Sequence, residues 1–174
     1  MAEGRTGTAG IVLAGGRSSR MGKNKALLDY KGKPLVDHMS ALLCEAGCAD
    51  VYISGTVPGY DGIPDAVRHD GPARAMIELL ERFKDRYEKL LFAPVDMPLI
   101  QIKSLRRLLR YDGNAYYTDN PLPACIETGH YESRSRSIRG LLDFAEARAL
   151  DLPHEWQDGM ANVNTKQEWE IIES

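Results

Sequence analysis

The sequence predicts an α/β fold: a mainly parallel sheet with helices over both faces. Three observations carry that expectation. Strand-like and helix-like periods alternate along the chain. The first apolar run breaks at a double glycine and then turns basic. The stretches "LAGGRSSRMG", "HDGP" and "PVDMP" all fall at predicted strand ends, where sheets of this kind bind ligands.

The elements follow in order. "GIVLAG" reads as a short buried parallel strand. "PLVDHMSALLCEAG" puts Leu35, Met39, Leu42, Leu43 and Ala46 on one helical face, with Gly47 as a stop. "DVYISG" is a second strand, "VPGYDGIPDA" a loop and "AVRHD" a short strand candidate. "PARAMIELLERFKDRYE" repeats apolar residues at Met76, Leu80, Phe83 and Tyr87, a helical period. "KLLFAPVD" is a strand bent near Pro94, and "IKSLRRLLRY" a helix. "NAYYTD" and "LPACIET" read as strands around a turn at "NPLP". "SRSIRGLLDFAEARAL" reads as a helix, and "ANVNT" with the helix "KQEWEIIE" closes the chain. No linker or repeat divides the 174 residues, so a single domain is expected, with residues 1–9 as a loose start.

Composition narrows the function. Apolar residues make up 43% and charged ones 27%, which excludes a disordered chain. No apolar run reaches the ~20 residues of a spanning helix, and the first nine residues lack a signal peptide's apolar core. A cytoplasmic protein without a membrane partner is expected. A net charge of −3 gives no general attraction to nucleic acid. Cys44, Cys48 and Cys125 form no even disulfide framework and read as buried reduced thiols. No metal is assigned to the scattered His38, His69, His130 and His154.

Against that acidic background, Arg17, Arg20, Lys23 and Lys25 crowd into nine positions directly after Gly15-Gly16. Lacking Cβ atoms, such a turn brings successive N–H groups close to an anion. Four cations suit a polyphosphate better than a lone carboxylate. The P-loop is excluded: five residues separate Gly16 from Gly22, and Lys23 precedes Asn24. The dinucleotide fingerprint GxGxxG is absent as well.

"LAGGRSSRMGKNKALL" closely resembles the nucleotidyltransferase signature LAGGxSxRMGxxK. Within that superfamily, the short chain and the ending "MANVNTKQEW" resemble molybdenum cofactor guanylyltransferases of the MobA type. The resemblance runs from Gly10 to about Pro98 and resumes at Ala161. It implies a three-layer sandwich, the Rossmann-like nucleotidyltransferase fold. It also implies a reaction: GMP passes from GTP to the terminal phosphate of molybdopterin, pyrophosphate leaves, and Mg2+ is required. By motif position, Leu13, Ala14, Gly15 and Gly16 hold nucleotide. Lys25, with Arg20, stabilises phosphate charge, Asp70 lies near the guanine, and Asp96 binds the metal. Asn162 or Asn164, more readily Asn164, lies near the metal or the acceptor phosphate, and Lys23 is expected to stay solvated.

The sequence departs from the family at "GPARAM", where GPLAG is usual, so Arg74 and Ala75 bear on base selectivity. Cytidylyl transfer from CTP to the same acceptor, and a nucleotide-binding adaptor without turnover, remain open alternatives. Molybdoenzymes or their chaperones are candidate recipients of the product.

Overall fold

The computed structural model describes residues 5–15, 24–65, 71–132 and 136–173. Six strands form one sheet. They are β1 (Thr8–Leu13), β4 (Val51–Ser54), β5 (Lys89–Pro94), β6 (Ala115–Tyr117), β7 (Asn120–Glu127) and β8 (Arg148–Leu150), in the order β4-β1-β5-β7-β6-β8. Only β7 runs antiparallel to its neighbours. A two-stranded ribbon, β2 (Asp29–Tyr30) with β3 (Lys33–Pro34), lies outside this sheet.

The period-2 alternation of the central strands divides the core into two layers. On one face, Val12, Leu91, Ala93 and Cys125 pack under α1 (Leu35–Ala46) and α3 (Ile102–Arg110). Trp169 of α5 (Lys166–Glu173) joins this layer. On the other, Ile11, Leu90, Phe92 and Ile126 pack under α2 (Pro72–Arg82) and α4 (Ile138–Phe144). The three-layer sandwich follows. Helix α1 buries Leu35, Val36, Met39 and Leu43, each contributing about 1.5–3 kcal/mol. It presses close to β1 at Gly10, where a Cβ would stand 3.0 Å from the Leu43 Cβ. Leu43→Ala would open a cavity there and cost about 2–5 kcal/mol.

Several expectations are corrected. "NPLP" is not the turn: β7 begins at Asn120, and the reversal lies at Thr118-Asp119, with Asp119 at φ 64°. The prolines are tolerated because β7 pairs with β5 only from Ala124 onward, and its register to β6 shifts at Tyr116/Tyr117. The last long helix is shorter than its pattern. It stops at Phe144, turns through Glu146 at φ 51°, and continues as edge strand β8. Helix α2 likewise ends at Arg82, with Phe83 and Tyr87 still buried in the turn beyond it. Cys48 and Cys125 are buried, whereas Cys44 is exposed. The strand candidate "AVRHD" lies outside the described residues. No helix among the described residues is long and apolar enough to cross a membrane.

Candidate active site

The carboxyl ends of β4, β1 and β5 are tied into one ledge. The Ala14 N–H donates to the Ser54 carbonyl at 2.9 Å, and the Val95 N–H donates to the Leu13 carbonyl at 3.0 Å. Gly55 carries φ +105°, and a Cβ on it would stand 2.6 Å from the Gly15 nitrogen. The end of β4 can therefore lie against the turn that follows β1 only because Gly55 has no side chain. Leu13, Ala14 and Gly15 sit together on this ledge. Gly16, Arg17, Arg20 and Lys23 lie outside the described residues, as does Asp70.

One residue past the β5–β1 junction, Asp96 projects from the strand end. Its backbone carbonyl accepts from the Val163 N–H at 2.8 Å, which stitches the segment 161–165 to the same edge. Lys25 arrives from another direction, at the head of a single 3-10 turn, Lys25–Leu27. The turn is capped by Asn24, whose side chain accepts from the Ala26 N–H at 3.1 Å, and it is anchored by fully buried Ala26. From there the Lys25 Nζ reaches the Asn164 Oδ1 at 2.8 Å and the Asp96 Oδ2 at 3.5 Å. The two side chains of the ion pair remain 21% and 22% exposed, so solvent and ligand can reach both.

Asn164 is held in place by its neighbours. Thr165 caps α5: its Oγ1 accepts from the Glu168 N–H at 3.1 Å. The Glu168 carboxylate returns to accept from the Thr165 N–H at 2.9 Å and the Asn164 N–H at 2.7 Å. This is a reciprocal capping box, extended by one residue. Those two backbone donors lower the Glu168 pKa below its ordinary value. Tyr30 then connects the parts, meeting Trp169 of α5 edge-on at 6.0 Å and His38 of α1 at 4.7 Å. His38 Nε2 lies 2.8 Å from the Pro98 carbonyl, two residues past Asp96. Burial, with Lys33 and Lys31 nearby, pulls the His38 pKa down despite that bond.

The described contacts of Lys25 go to Asp96 and Asn164, so Asn164 rather than Asn162 joins the cluster. The structure also brings in a carboxylate that the sequence analysis passed over. The Asp65 Oδ2 stands 3.1 Å from where a Cβ on Gly15 would be. A parallel bridge between Ser54 and Ile63 carries Asp65 to the ledge. With Ser54, Ala75 and Glu78 it lines a pocket of about 250 Å³. Desolvation, reinforced by the Glu78 carboxylate, raises its pKa. Arg74, from the segment that departs from the family pattern, pairs with Glu78 at 3.2 Å. No cluster of three or more His, Cys, Asp or Glu side chains that could hold a metal occurs among the described residues. A site made of Asp96 and the Asn164 amide oxygen nonetheless fits Mg2+. That ion takes oxygen donors, often one or two carboxylates, and fills its shell with phosphates and water.

The glycine turn after β1, the Asp96 carboxylate just past β5 and Lys25, brought in on its 3-10 turn, gather at the carboxyl edge of an α/β sheet, where folds of this class bind ligands. Solved structures with this fold include a nucleotidyl transferase from Methanothermobacter, at TM-score 0.71 and 17% identity, covering 97% of this chain and 96% of that one. They also include molybdopterin-guanine dinucleotide biosynthesis protein A from Archaeoglobus fulgidus, at TM-score 0.67 and 17% identity, covering 95% and 96%. The chain belongs to the MobA-like NTP transferase domain family, which matches residues 10–146. The molybdenum cofactor guanylyltransferase of Xanthomonas euvesicatoria pv. vesicatoria is 34% identical over 92% of this chain and 91% of its own length.

Proposed function

We propose that the protein transfers GMP from GTP to the terminal phosphate of molybdopterin. One observation carries this reading furthest: Lys25, Asp96 and Asn164, from three distant stretches of sequence, meet at the carboxyl edge beside the Leu13–Gly15 turn. An acceptor phosphate oxygen attacks the α-phosphorus of GTP. The bond to the bridging oxygen breaks, and the electron pair leaves with pyrophosphate. Both reactants are anions, so the protein contributes positioning and charge neutralisation rather than a nucleophile.

Main-chain groups of Leu13, Ala14 and Gly15 hold the nucleotide. Lys25 moves from its resting contacts onto phosphate oxygen and stabilises charge developing on the leaving group. Asp96 holds Mg2+, with the Asn164 oxygen beside it. Bound there, the ion supplies electrostatic polarisation of the α-phosphate. Gly16, Arg20 and Asp70 keep the nucleotide roles that the family motif assigns them.

Asp65 favours guanine over cytosine. A carboxylate beside the nucleotide turn can accept from both the N1–H and the N2 amino group of guanine, whereas cytosine offers only its N4 amino group. The adaptor alternative is disfavoured, because a protein that only bound nucleotide would have little use for a lysine, a carboxylate and an amide gathered at one point. Pyrophosphate release, measured with GTP or CTP in the presence of molybdopterin and Mg2+, tests the proposal. GTP should support turnover that Asp96→Ala abolishes. Equal activity of wild type and Asp96→Ala, or turnover with CTP alone, would overturn it.

A further inference from the structure

Helix α3 has no acidic residue. Its cations Lys103, Arg106, Arg107 and Arg110 share one exposed face at i, i+3, i+4 and i+7. Four like-charged pairs at helical spacing repel one another: 103 with 106 and 107, and 110 with 106 and 107. Among the described residues, no carboxylate forms an ion pair with any of the four. On α2, by contrast, Arg74 is neutralised by Glu78. Favourable placement of cations near a helix carboxyl end accounts for Arg107 and Arg110 but not for Lys103 and Arg106.

Together with Leu150 and Trp156, these cations line an open groove of about 650 Å³. Two guanidinium groups are already oriented by backbone: Arg106 donates to the Glu45 carbonyl at 2.9 Å and Arg107 to the Asp151 carbonyl at 2.8 Å. An arginine has five N–H donors, so both retain several for a ligand. The groove also runs along the edge of the sheet. β8 has β6 on one side and, among the described residues, no strand on the other.

We propose that this groove takes an extended acidic segment of a partner protein, which pairs with the free edge of β8 and directs alternate carboxylates at α3. The dimensions agree. From Lys103 to Arg110 the helix rises ~10.5 Å, and three residues of strand span ~10 Å. Alternate side chains on such a segment lie ~6.6 Å apart, close to the ~5 Å between successive rungs of the cationic face. A nucleic-acid strand fits less well. The two aromatics that line the groove, Tyr111 and Trp156, are both partly buried, and Trp156 packs edge-on against Tyr117 at 6.3 Å.

The test uses an acetylated, amidated eight-residue peptide alternating Glu with Val, at physiological ionic strength. Binding is followed by fluorescence anisotropy and the Ala149 amide by hydrogen exchange. Arg106→Glu with Arg110→Glu should weaken binding at least tenfold, and the neutral pair Arg106→Gln with Arg110→Gln by a lesser factor. The charge-matched reversal Arg74→Glu with Lys84→Glu should leave affinity within twofold. Saturating peptide should slow exchange at Ala149, and pyrophosphate release should be unchanged in both Arg106/Arg110 variants. The proposal is overturned by any of four results: no binding at millimolar peptide, equal loss in the α2 reversal, unchanged Ala149 exchange at saturation, or displacement of peptide by a lower concentration of oligothymidylate.

Discussion

Replacing Lys25 with Met separates the catalytic reading of the cluster from a merely structural one. The ammonium lies 2.8 Å from the Asn164 oxygen and 3.5 Å from the Asp96 carboxylate, and both partners of the ion pair are open to water. A partly solvated pair of this kind contributes about 0.2–1 kcal/mol to folding. In a chain of this size that shifts Tm by about 2–4 °C at most. Met keeps the apolar stem and the 3-10 turn that Asn24 caps. In the proposed mechanism the same nitrogen stabilises charge on a departing pyrophosphate, and loss of one such donor costs about 2.7–4 kcal/mol in the transition state. Turnover should therefore fall by about 10²–10³ while Tm barely moves. Thermal melting and a continuous pyrophosphate assay on the same preparation give both numbers. A fall of less than tenfold, or a loss of turnover matched by a Tm drop beyond about 8 °C, would refute the reasoning.

Gly55→Ala puts a Cβ 2.6 Å from the Gly15 nitrogen at a φ of +105°. The strained backbone alone costs about 1–3 kcal/mol, and the KM for GTP should rise as the nucleotide turn is displaced, as melting and initial-rate kinetics would record. Asp65→Asn should lose preference for GTP over CTP yet gain stability at neutral pH. The raised pKa means that the folded chain holds the Asp65 proton more tightly than the unfolded chain does. Stability is thus lost as pH rises from the ordinary 3.8 through the raised value, and the variant's advantage should vanish below that window in pH-resolved melts. Thr165→Ala removes the α5 cap and should cost about 1 kcal/mol, with reduced turnover because Asn164 loses its support; melting and kinetics together test both.

The sequence exposed the long-period features. Alternating periods predicted the layered parallel sheet, and the motif that singles out the glycine turn, Lys25 and Asp96 names residues that lie together at the carboxyl edge. Short elements were harder to read. Arg148–Leu150 continues a helical pattern in composition, and only its pairing with β6 makes it a strand. The "NPLP" segment carries turn residues yet lies where a strand is paired on one side only, a tertiary fact. Asp65 sits in a loop rich in Pro and Gly, and the Ser54–Ile63 bridge that brings it to Gly15 has no signature in the chain. The contact between Lys25 and Asn164 spans 139 positions, beyond any local rule. One signal was available and unused: Thr165-x-x-Glu168 is a capping-box pattern.

The most direct test of the proposed site is paramagnetic broadening by Mn2+·GTP in an amide NMR spectrum. The account predicts that Ala14, Gly15, Lys25, Asp96 and Asn164 broaden together in the wild-type protein and stay sharp in Asp96→Asn at the same concentrations. Broadening centred on another part of the sheet, or an Asp96→Asn spectrum that broadens like the wild type, would contradict it.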